Sequence, residues 1–373
     1  MSKTLKETII SEIEKSGPLP FFKFMELCLY YPGYGYYRKN SLPIGKAGDF
    51  YTSPCVHSIF GHTIARQFTD FIHEIDEEEI YLIEAGAGRG HLARDIGEYL
   101  NKKNYKPKLI ILEPHKPFRE LQYKVVKDFY KDVIFLNEPS ELDEINGIFY
   151  CNELFDSFPV QLLENRDGSI EEIFVSFEND MFVETFKPIS KDKEDFLKKY
   201  NIQIPDGFRT EISPLAISYY KQLLGHIKKG FSLVIDYGYT TEEFFTPQRR
   251  KGTLMCYKQH LADENPYELV GEKDITAHIN FSTFSAAGEE MGFYTIGYTD
   301  QQYFLLGSGI IEEIDRIKQS LSQQEYEQEI QKIKNLFMDS MGKTFKFLCQ
   351  MKGIENKSYK AFGIRDFKIT LKG

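Results

Sequence analysis

Residues 80–90 read IYLIEAGAGRG, an apolar run that ends in Glu84 and continues into three alternating glycines. Glycine adopts the backbone angles that a sharp turn requires, and its missing side chain lets a ligand approach the main chain. The following stretch, residues 91–100 (HLARDIGEYL), is amphipathic. We therefore predict a buried strand, a glycine loop and a helix, with the free N–H groups of the helix facing a ligand over the loop.

The spacing of the glycines restricts the ligand. Dinucleotide-binding loops read G-x-G-x-x-G, whereas Gly86, Gly88 and Gly90 alternate here and Glu84 precedes them. This E/D-x-G-x-G-x-G pattern resembles the first motif of the Rossmann-like S-adenosylmethionine-dependent methyltransferases. A nicotinamide enzyme is the nearest competitor, and a phosphate loop is excluded because no G-K-[ST] follows. We predict that Glu84 and the three glycines bind the cofactor.

Glu113 ends a second short apolar run, LIILE at residues 109–113. A carboxylate at the end of the second strand accepts hydrogen bonds from both hydroxyls of an adenosine ribose. Glu113 therefore supports a nucleoside ligand but does not choose between a methyl donor and a nicotinamide. A helix cap or a surface ion pair is the alternative interpretation of this acid.

Composition and charge narrow the class of protein. The 373 residues are 42% hydrophobic and 27% charged, as in a folded protein, and the net charge of −10 argues against non-specific nucleic-acid binding. The five cysteines form no C-x-x-C pair and the histidines show no metal-ligand spacing, so we expect a reducing, cytoplasmic location and no metal. We also expect no membrane span and no targeting sequence.

Apolar runs at about 80–85, 108–113, 132–136, 146–151 and 231–236 alternate with helical stretches. This alternation predicts an α/β protein with a Rossmann-like class I methyltransferase sheet, mostly parallel with an antiparallel edge strand at 344–351. The predicted segments are an N-terminal helical and loop cover (1–60), the first part of the core (61–164), an insertion (165–210), the second part of the core (211–307) and a C-terminal extension (308–373). The insertion should contain a hairpin around Asn179 and Asp180, and the extension should begin with one helix over 310–337.

The ends of parallel strands meet along one edge of a sheet. We therefore expect the glycine loop and Glu113 to share a crevice with Asn137 or Glu138 and with Asn152 and Glu153. Asn137 and Asn152 are predicted to contact the cofactor.

Eight separated phrases resemble, in the same order, the MidA-like methyltransferases, a family that includes the mitochondrial complex I assembly methyltransferases of eukaryotes. The likeness extends from about residue 18 to 352. The phrases are YYPGYGYY (30–37), GDFYTSP (48–54), EAGAGRG (84–90), CNELFDSFPV (151–160), VIDYG (234–238), GTLMCYKQH (252–260), DITAHINF (274–281) and MGKTFKFLCQ (341–350). The resemblance implies a Rossmann-like fold, S-adenosylmethionine as cofactor, a protein substrate and, in the eukaryotic branch, methylation of arginine.

The resemblance also assigns residues. It places the glycines at the donor loop and Glu113 at the ribose, and it makes Asn152, Glu153 and Asp156 the signature after the fourth strand. Two positions depart from the family. Cys55 stands where a glutamate is usual after Ser-Pro, and His62 stands where a glutamate usually follows glycine. These departures would suit a different target or a non-catalytic assembly factor that keeps the donor site.

Arginine methylation needs groups that orient a protonated guanidinium and accept a proton. Glu153 and Asp156 are the best candidates, since they follow a predicted strand end, although Asp156 would also serve as a helix cap. His278 is a further candidate base, with a structural histidine as the alternative. Glu211 is a weaker candidate still.

The remaining candidates are assigned to the acceptor pocket or its cover. Asp236 and Tyr237 end the fifth strand and would line the acceptor pocket, or else pack at the sheet edge. Asp49, Thr52 and Ser53 are placed near the pocket by the resemblance alone.

Overall fold

The computed structural model describes residues 4–38, 53–259, 261–338, 340–355 and 357–372. Its strands are β1 (Leu19–Pro20), β2 (Tyr81–Ala85), β3 (Lys108–Leu112), β4 (Val133–Leu136), β5 (Ile145–Asn152), β6 (Gln161–Arg166), β7 (Ser169–Glu178), β8 (Met181–Pro188), β9 (Arg209–Ile212), β10 (Ile227–Tyr239), β11 (Met255–Lys258), β12 (Leu261–Asp263), β13 (Asp274–Thr276), β14 (Ile279–Asn280), β15 (Tyr294–Asp300) and β16 (Phe345–Lys352).

The helices of the described residues connect and flank these strands. They are α1 (Leu5–Ser16), α2 (Phe21–Tyr30), α3 (Ser53–Val56), α4 (Ile59–Ile75), α5 (His91–Lys102), α6 (Lys116–Val126), α7 (Lys191–Lys199), α8 (Pro214–Gly225), α9 (Thr241–Phe244), α10 (Phe281–Glu290), α11 (Gln301–Gly307), α12 (Ile310–Ser320), α13 (Gln323–Phe337) and α14 (Ser340–Thr344). No helix in these ranges is both long enough and apolar enough to cross a membrane.

The central sheet has the strand order β15-β16-β10-β5-β2-β3-β4, with β14 added beside β10. The strands β10, β5, β2, β3 and β4 run parallel to one another, as the alternation of strands and helices predicted. The Rossmann-like α/β fold is therefore confirmed. The parallel strands bring their carboxyl ends to one edge, and this edge carries the glycine loop and the loop after β5.

The antiparallel strand predicted at the edge of the sheet, residues 344–351, corresponds to β16 and is the second strand from the edge. β16 pairs antiparallel with both β10 and β15, so β15 forms the edge. β15 was not predicted from the sequence. Its sequence, YTIGYTD, is short and contains Gly297, where a Cβ atom would lie 2.1 Å from the ring of Phe362. The glycine thus serves close packing, but it weakens the strand pattern in the sequence.

The predicted helix over 310–337 is two helices, α12 and α13. The chain becomes extended at Leu321 and Ser322, and Ser322 then caps α13 in a reciprocal capping box with Glu325. The charged and polar residues on both sides hid this boundary, because their helical pattern continues across it. The prediction of a single helix was wrong.

Side chains of the central strands alternate between two apolar clusters. Leu82 and Ile148 pack on one face, against α4 and α5, whereas Ile83 and Phe149 pack on the other, against α8 and α10. A third cluster joins α1 and α2 to the smaller sheets, with Phe24 at its centre. The N-terminal segment is therefore bound to the rest of the molecule by its own apolar core.

A second sheet follows the order β1-β7-β6-β9, with β8 beside β7. The predicted hairpin is confirmed: β7 and β8 pair antiparallel, and both turn residues, Asn179 and Asp180, have positive φ angles of 50° and 62°. This sheet extends beyond the predicted insertion, since β6 begins at Gln161 and β1 belongs to the N-terminal segment. A third sheet, β12-β11-β13, lies between β10 and β14 in the chain.

Candidate active site

The glycine loop connects β2 to α5 and lines a cavity of about 560 Å³. Gly86, Gly88 and Gly90 all have positive φ angles, of 71°, 52° and 80°. A Cβ atom at Gly86 would lie 2.9 Å from Leu154, which also lines the cavity. Gly86 and Gly88 border the cavity, whereas Gly90 packs against Gln122 on α6. Gly90 therefore lets the start of α5 pack closely on α6, and its predicted contact with the cofactor stays a prediction.

Glu84 lies beneath the loop and is not among the residues that line the cavity. Its side chain is buried and accepts a hydrogen bond from the Tyr150 hydroxyl at 3.2 Å. Burial raises the pKa of Glu84 to about 8. The structure therefore places Glu84 where it supports the loop from below, without direct contact with the cavity.

Glu113 lines the cavity at the end of β3, and its predicted contact with the ribose stays a prediction. One carboxylate oxygen accepts from the backbone N–H of His115 at 2.9 Å, and the other accepts from Nε2 of Gln122 at 3.0 Å. The same Gln122 nitrogen donates to the carbonyl oxygen of Gly88 at 2.9 Å. Gln122 thus connects the glycine loop to Glu113. Nothing in the sequence pattern singled it out, because it lies one helix away from both.

Asn137 lines the cavity at the end of β4. Its side-chain oxygen accepts from Arg119 at 2.7 Å, and Arg119 also donates to the carbonyl oxygen of Glu113 at 2.7 Å. Arg119 therefore holds the ends of β3 and β4 together. The predicted cofactor contact of Asn137 stays a prediction, as does that of Asn152, whose amide donates to Glu153 at 2.9 Å.

Glu153 follows β5 with a φ angle of 50°, which is rare for a residue other than glycine. Its backbone N–H donates to the carbonyl oxygen of Ile235 at 2.9 Å, and its side chain lines the cavity. Desolvation raises the pKa of Glu153 to about 8, and the negative charge of Asp156 adds to the rise. The backbone N–H of Ser53 donates to this carboxylate and partly opposes the shift.

Asp156 is buried beside Glu153 and also lines the cavity. The Tyr237 hydroxyl donates to Oδ2 of Asp156, while Oδ1 has no hydrogen-bond partner among the described residues. Burial raises the pKa of Asp156 to about 6, against the opposing effect of the Tyr237 hydrogen bond. Asp156 is the middle residue of a single turn of 3-10 helix, Phe155–Ser157, and does not cap a longer helix.

Asp236 and Tyr237 take different positions at the end of β10. Tyr237 lines the cavity, whereas Asp236 is fully buried and is not among the lining residues. The Asp236 carboxylate accepts from the backbone N–H groups of Phe155 at 3.0 Å and Tyr237 at 2.9 Å. Asp236 therefore shapes the turn that presents Asp156, and burial raises its pKa well above the usual range.

His278 lines the cavity, with the rings of Tyr237 and Tyr239 each 5.0 Å from its own. Burial lowers the pKa of His278 to about 4, and the charge of Arg249 adds to the effect. Its Nδ1 atom has no hydrogen-bond partner in the described part of the chain. The ring is therefore neutral at pH 7 and binds a proton weakly, and its predicted role as a base remains a prediction.

Two tyrosines and an aspartate complete the side of the cavity that carries Glu153 and Asp156, and none of the three was predicted as a site residue. Tyr37 donates to Oδ2 of Asp274 at 2.7 Å and stacks on Tyr30, with ring centroids 5.6 Å apart. Tyr30 in turn donates to the carbonyl oxygen of Ser157 at 3.0 Å. All three side chains line the cavity. Their only sequence signal was membership of the phrases at 30–37 and 274–281.

The N-terminal cover is described in part. Asp49 and Thr52 lie outside the described residues. Ser53 is buried, is not a lining residue, and donates from Oγ to Gln301 at 3.2 Å. Cys55 lies 3.6 Å from Nδ1 of His91. His62 faces Glu98 at 3.7 Å. Neither Cys55 nor His62 is among the cavity-lining residues. Cys55 nevertheless lies on α3, whose first residue, Ser53, donates from its backbone N–H to the Glu153 carboxylate.

The arrangement fits S-adenosylmethionine on one side of the cavity. The positive-φ glycines leave the main chain open, and Glu113 presents a carboxylate at the end of the second parallel strand. The buried Oε1 atom of Gln122, beside both, has no partner among the described residues. Within the same ranges, no cluster of three or more His, Cys, Asp or Glu side chains could hold a metal ion.

The model of a family described as S-adenosyl-L-methionine-dependent methyltransferases matches residues 63–299. The chain belongs to this family. A solved structure from Burkholderia thailandensis with S-adenosyl-homocysteine bound is 28% identical, with a TM-score of 0.88 over 98% of this chain and 96% of that chain. The methyltransferase uses S-adenosylmethionine, and the predicted donor is confirmed over the nicotinamide alternative.

Two relatives are named as protein arginine methyltransferases. The chain is 25% identical over 374 residues to the mitochondrial NDUFAF7 homolog of Caenorhabditis elegans, covering 92% of this chain and 85% of that protein. It is 24% identical over 344 residues to mitochondrial NDUFAF7 of Danio rerio, covering 83% and 78%. The resemblance stated from the eight phrases is therefore confirmed.

Proposed function

We propose that this methyltransferase methylates an arginine side chain of another protein. The observation that carries the proposal is the convergence of Glu153, Asp156 and Asp274 on the cavity that the glycine loop also lines. Several carboxylates in one partly desolvated pocket favour a cationic acceptor. The names of the relatives, which are protein arginine methyltransferases, support the same acceptor.

The carboxylates would position the acceptor and remove its proton. S-adenosylmethionine supplies a methyl group already activated on a sulfonium. Glu153 and Asp156 hold the guanidinium by charge-assisted hydrogen bonds and aim one nitrogen at the methyl carbon. The nitrogen–carbon bond forms as the carbon–sulfur bond breaks, and the nitrogen gives its extra proton to a carboxylate. Glu153, whose pKa is about 8, is the stronger proton acceptor of the two.

A non-catalytic assembly factor is the second candidate. This candidate was suggested by the cysteine at position 55, where the family usually has a glutamate. The Cys55 thiol, however, contacts His91 and does not line the cavity. The three carboxylates that would bind the acceptor, Glu153, Asp156 and Asp274, all line the cavity. Methylation and assembly are compatible if the enzyme assists the assembly of a protein complex by methylating one of its subunits. We favour this combined function.

Methyl transfer to cell-extract protein tests the proposal. Wild-type protein should transfer labelled methyl groups from S-adenosylmethionine to arginine in an extract protein, as identified by mass spectrometry. Gly88→Val should abolish donor binding, because a branched side chain would enter the cavity at a positive φ angle. Gly168→Val is the matched control: it has a φ angle of 81° and no atom within 4 Å of its Cβ position.

Glu153→Gln separates catalysis from binding. It should bind S-adenosylhomocysteine normally and transfer no methyl group. If wild type binds the donor but labels no arginine in any extract, the arginine proposal fails. A partner protein captured equally well by wild type and Glu153→Gln, and unmethylated by both, would favour the assembly factor.

We also propose that the protein works in a reducing compartment, with the cytoplasm as the expected one. All five cysteines are unpaired thiols, and four of them are buried. The names of the relatives instead specify mitochondria. Fractionation of cells that express the protein with a C-terminal tag distinguishes the two locations.

A further inference from the structure

We propose that Asp274 is a third acceptor-binding carboxylate and that Tyr37 holds it in position. The inference rests on the proposed function and extends it to a residue outside the methyltransferase core strands. It also assigns a role in substrate binding to the N-terminal segment that carries Tyr37.

The third sheet directs Asp274 into the cavity. Asp274 on β13 is the antiparallel partner of Tyr257 on β11, and both side chains line the cavity. The neighbouring Lys273 lies just before β13 and is not among the cavity-lining residues. Lys273 pairs with Asp263 at 2.7 Å. The nearest lysine in the sequence is therefore engaged elsewhere, and the Asp274 carboxylate faces the acceptor space.

Tyr37 fixes the direction of that carboxylate. Its hydroxyl donates to Oδ2 of Asp274 at 2.7 Å, and its ring stacks on Tyr30. Tyr30 is anchored by its hydrogen bond to the carbonyl oxygen of Ser157, next to Asp156 in the chain. The two tyrosines thus bridge the turn that carries Asp156 and the strand that carries Asp274. A bridge of this kind keeps the two carboxylates at a set separation.

The charges of the cavity agree with a cation that contacts several carboxylates. Among the described lining residues, the acids are Glu26, Glu113, Glu153, Asp156 and Asp274, whereas Arg38 is the sole lysine or arginine. Burial raises the pKa of both Glu113 and Tyr30, and the positive charge of the nearby Arg38 partly opposes each rise. A guanidinium has five N–H donors in one plane and can bind carboxylates on more than one edge, whereas an ammonium is a compact point charge. Carboxylates on two separate segments, the loop after β5 and the strand β13, therefore suit arginine better than lysine.

Rates at two acceptor concentrations test the inference. The acceptor is the extract fraction that wild type labels, used at a low and at a near-saturating concentration. Asp274→Asn should reduce the rate about tenfold or more at the low concentration, because it weakens one charged hydrogen bond, and should recover much of the rate at the high one. Tyr37→Phe should show a smaller change in the same direction. At the low concentration, Asp274→Glu should have a rate between those of Asp274→Asn and wild type, because it keeps a carboxylate. Affinity for S-adenosylhomocysteine should be unchanged in all three.

Glu264→Gln is the matched control, since it removes one negative charge from an exposed position next to β12 of the same sheet. It should behave as wild type. Equal rates for Asp274→Asn and wild type at both concentrations would overturn the inference while leaving the proposed function intact. Absence of arginine labelling by wild type would overturn the proposed function itself, and the inference with it. Should Asp274→Asn fail to fold, a wild-type rate for Tyr37→Phe at both concentrations overturns the inference.

Discussion

Glu153 has a strained backbone at the point where the acceptor would bind. A positive φ angle in a residue with a side chain persists only where the surroundings enforce it. Here the backbone N–H bonds to Ile235, and the side chain accepts from Asn152 and from the backbone of Ser53. The carboxylate is therefore oriented by core strands and by the start of α3 before any acceptor arrives.

The raised pKa of Glu153 predicts a pH dependence. Below about pH 8 the empty site holds a proton on Glu153, and Asp156 follows at about pH 6. Because a cationic acceptor needs the ionised carboxylates, kcat/KM should rise with pH across this window and level off above it. The negative charge of Asp274 adds to the rise in the pKa of Glu153, whereas burial raises the pKa of the neighbouring Asp236 well above its own usual range. His278 is already neutral above about pH 4.

Initial rates between pH 5.5 and 9 at a low acceptor concentration measure this profile. Asp156→Asn should lower the pH at which the rate rises, because it removes a negative charge beside Glu153. A flat profile in the wild type would mean that ionisation of Glu153 does not limit acceptor binding.

The residues that sequence reasoning placed correctly at the cavity share one property. Glu113 and Glu153 each follow a strand of the parallel sheet, and Tyr237 lies near the carboxyl end of β10. Sheet geometry brings these strand ends together. Gln122 and Asp274 come from a flanking helix and a small separate sheet, whose positions depend on tertiary packing. No periodicity in the sequence carries that information, and only the family phrases brought Asp274 into view.

Helix boundaries show the same division between local and tertiary signals. The hairpin at Asn179 and Asp180 was predictable because its turn needs residues that tolerate positive φ angles. The end of α12 was not, because Leu321 continues the helical pattern and only the extended backbone before Ser322 ends it. The edge strand β15 escaped prediction for a related reason, since Gly297 is chosen for contact with Phe362.

Ser322→Ala should destabilise the C-terminal helices without affecting the active site. The substitution removes the hydroxyl that accepts from the backbone N–H of Glu325, and loss of such a cap costs about 1 kcal/mol. Because α13 contributes Ile333 and Leu336 to the main apolar cluster, thermal unfolding should occur at a lower temperature. Calorimetry measures the shift. Gln324→Ala, an exposed change in the same turn, is the control, and an equal shift in both variants would contradict the capping role.

At the scale of the molecule, the two sides of the cavity depend on different cores. The donor side is built on the central sheet, whereas the acceptor side also requires α2, which carries Tyr30, and the third sheet. Phe24 packs α2 against Phe182 of the second sheet and Tyr267 of the third-sheet region, with ring centroids 5.3 and 5.6 Å apart. The third apolar cluster therefore maintains the acceptor wall.

Phe24→Ala should impair acceptor methylation more than donor binding. Removing this fully buried ring costs about 3 to 5 kcal/mol of local packing, so α2 should lose its fixed position on the smaller sheets. Calorimetric titration with S-adenosylhomocysteine, compared with methyl incorporation at a temperature where the variant remains folded, measures the difference. Tyr294→Ala, at an exposed site on β15, is the control. If Phe24→Ala lowered S-adenosylhomocysteine binding and methyl incorporation to the same extent, the two sides of the cavity would share one cooperative core.

The position of β16 has a consequence for the order in which the molecule is made. This strand pairs with β10 from Gly230 to Tyr237 and separates it from β15, although it is synthesised after both. During translation, β10 and β15 therefore keep open hydrogen-bonding edges until residue 352 has left the ribosome, and such edges invite mispairing. Phe345 belongs to β16 and Thr344 immediately precedes it, and both line the cavity. A nascent chain that already contains the glycine loop therefore lacks part of the lining of the methyl-donor cavity until β16 has been synthesised and paired.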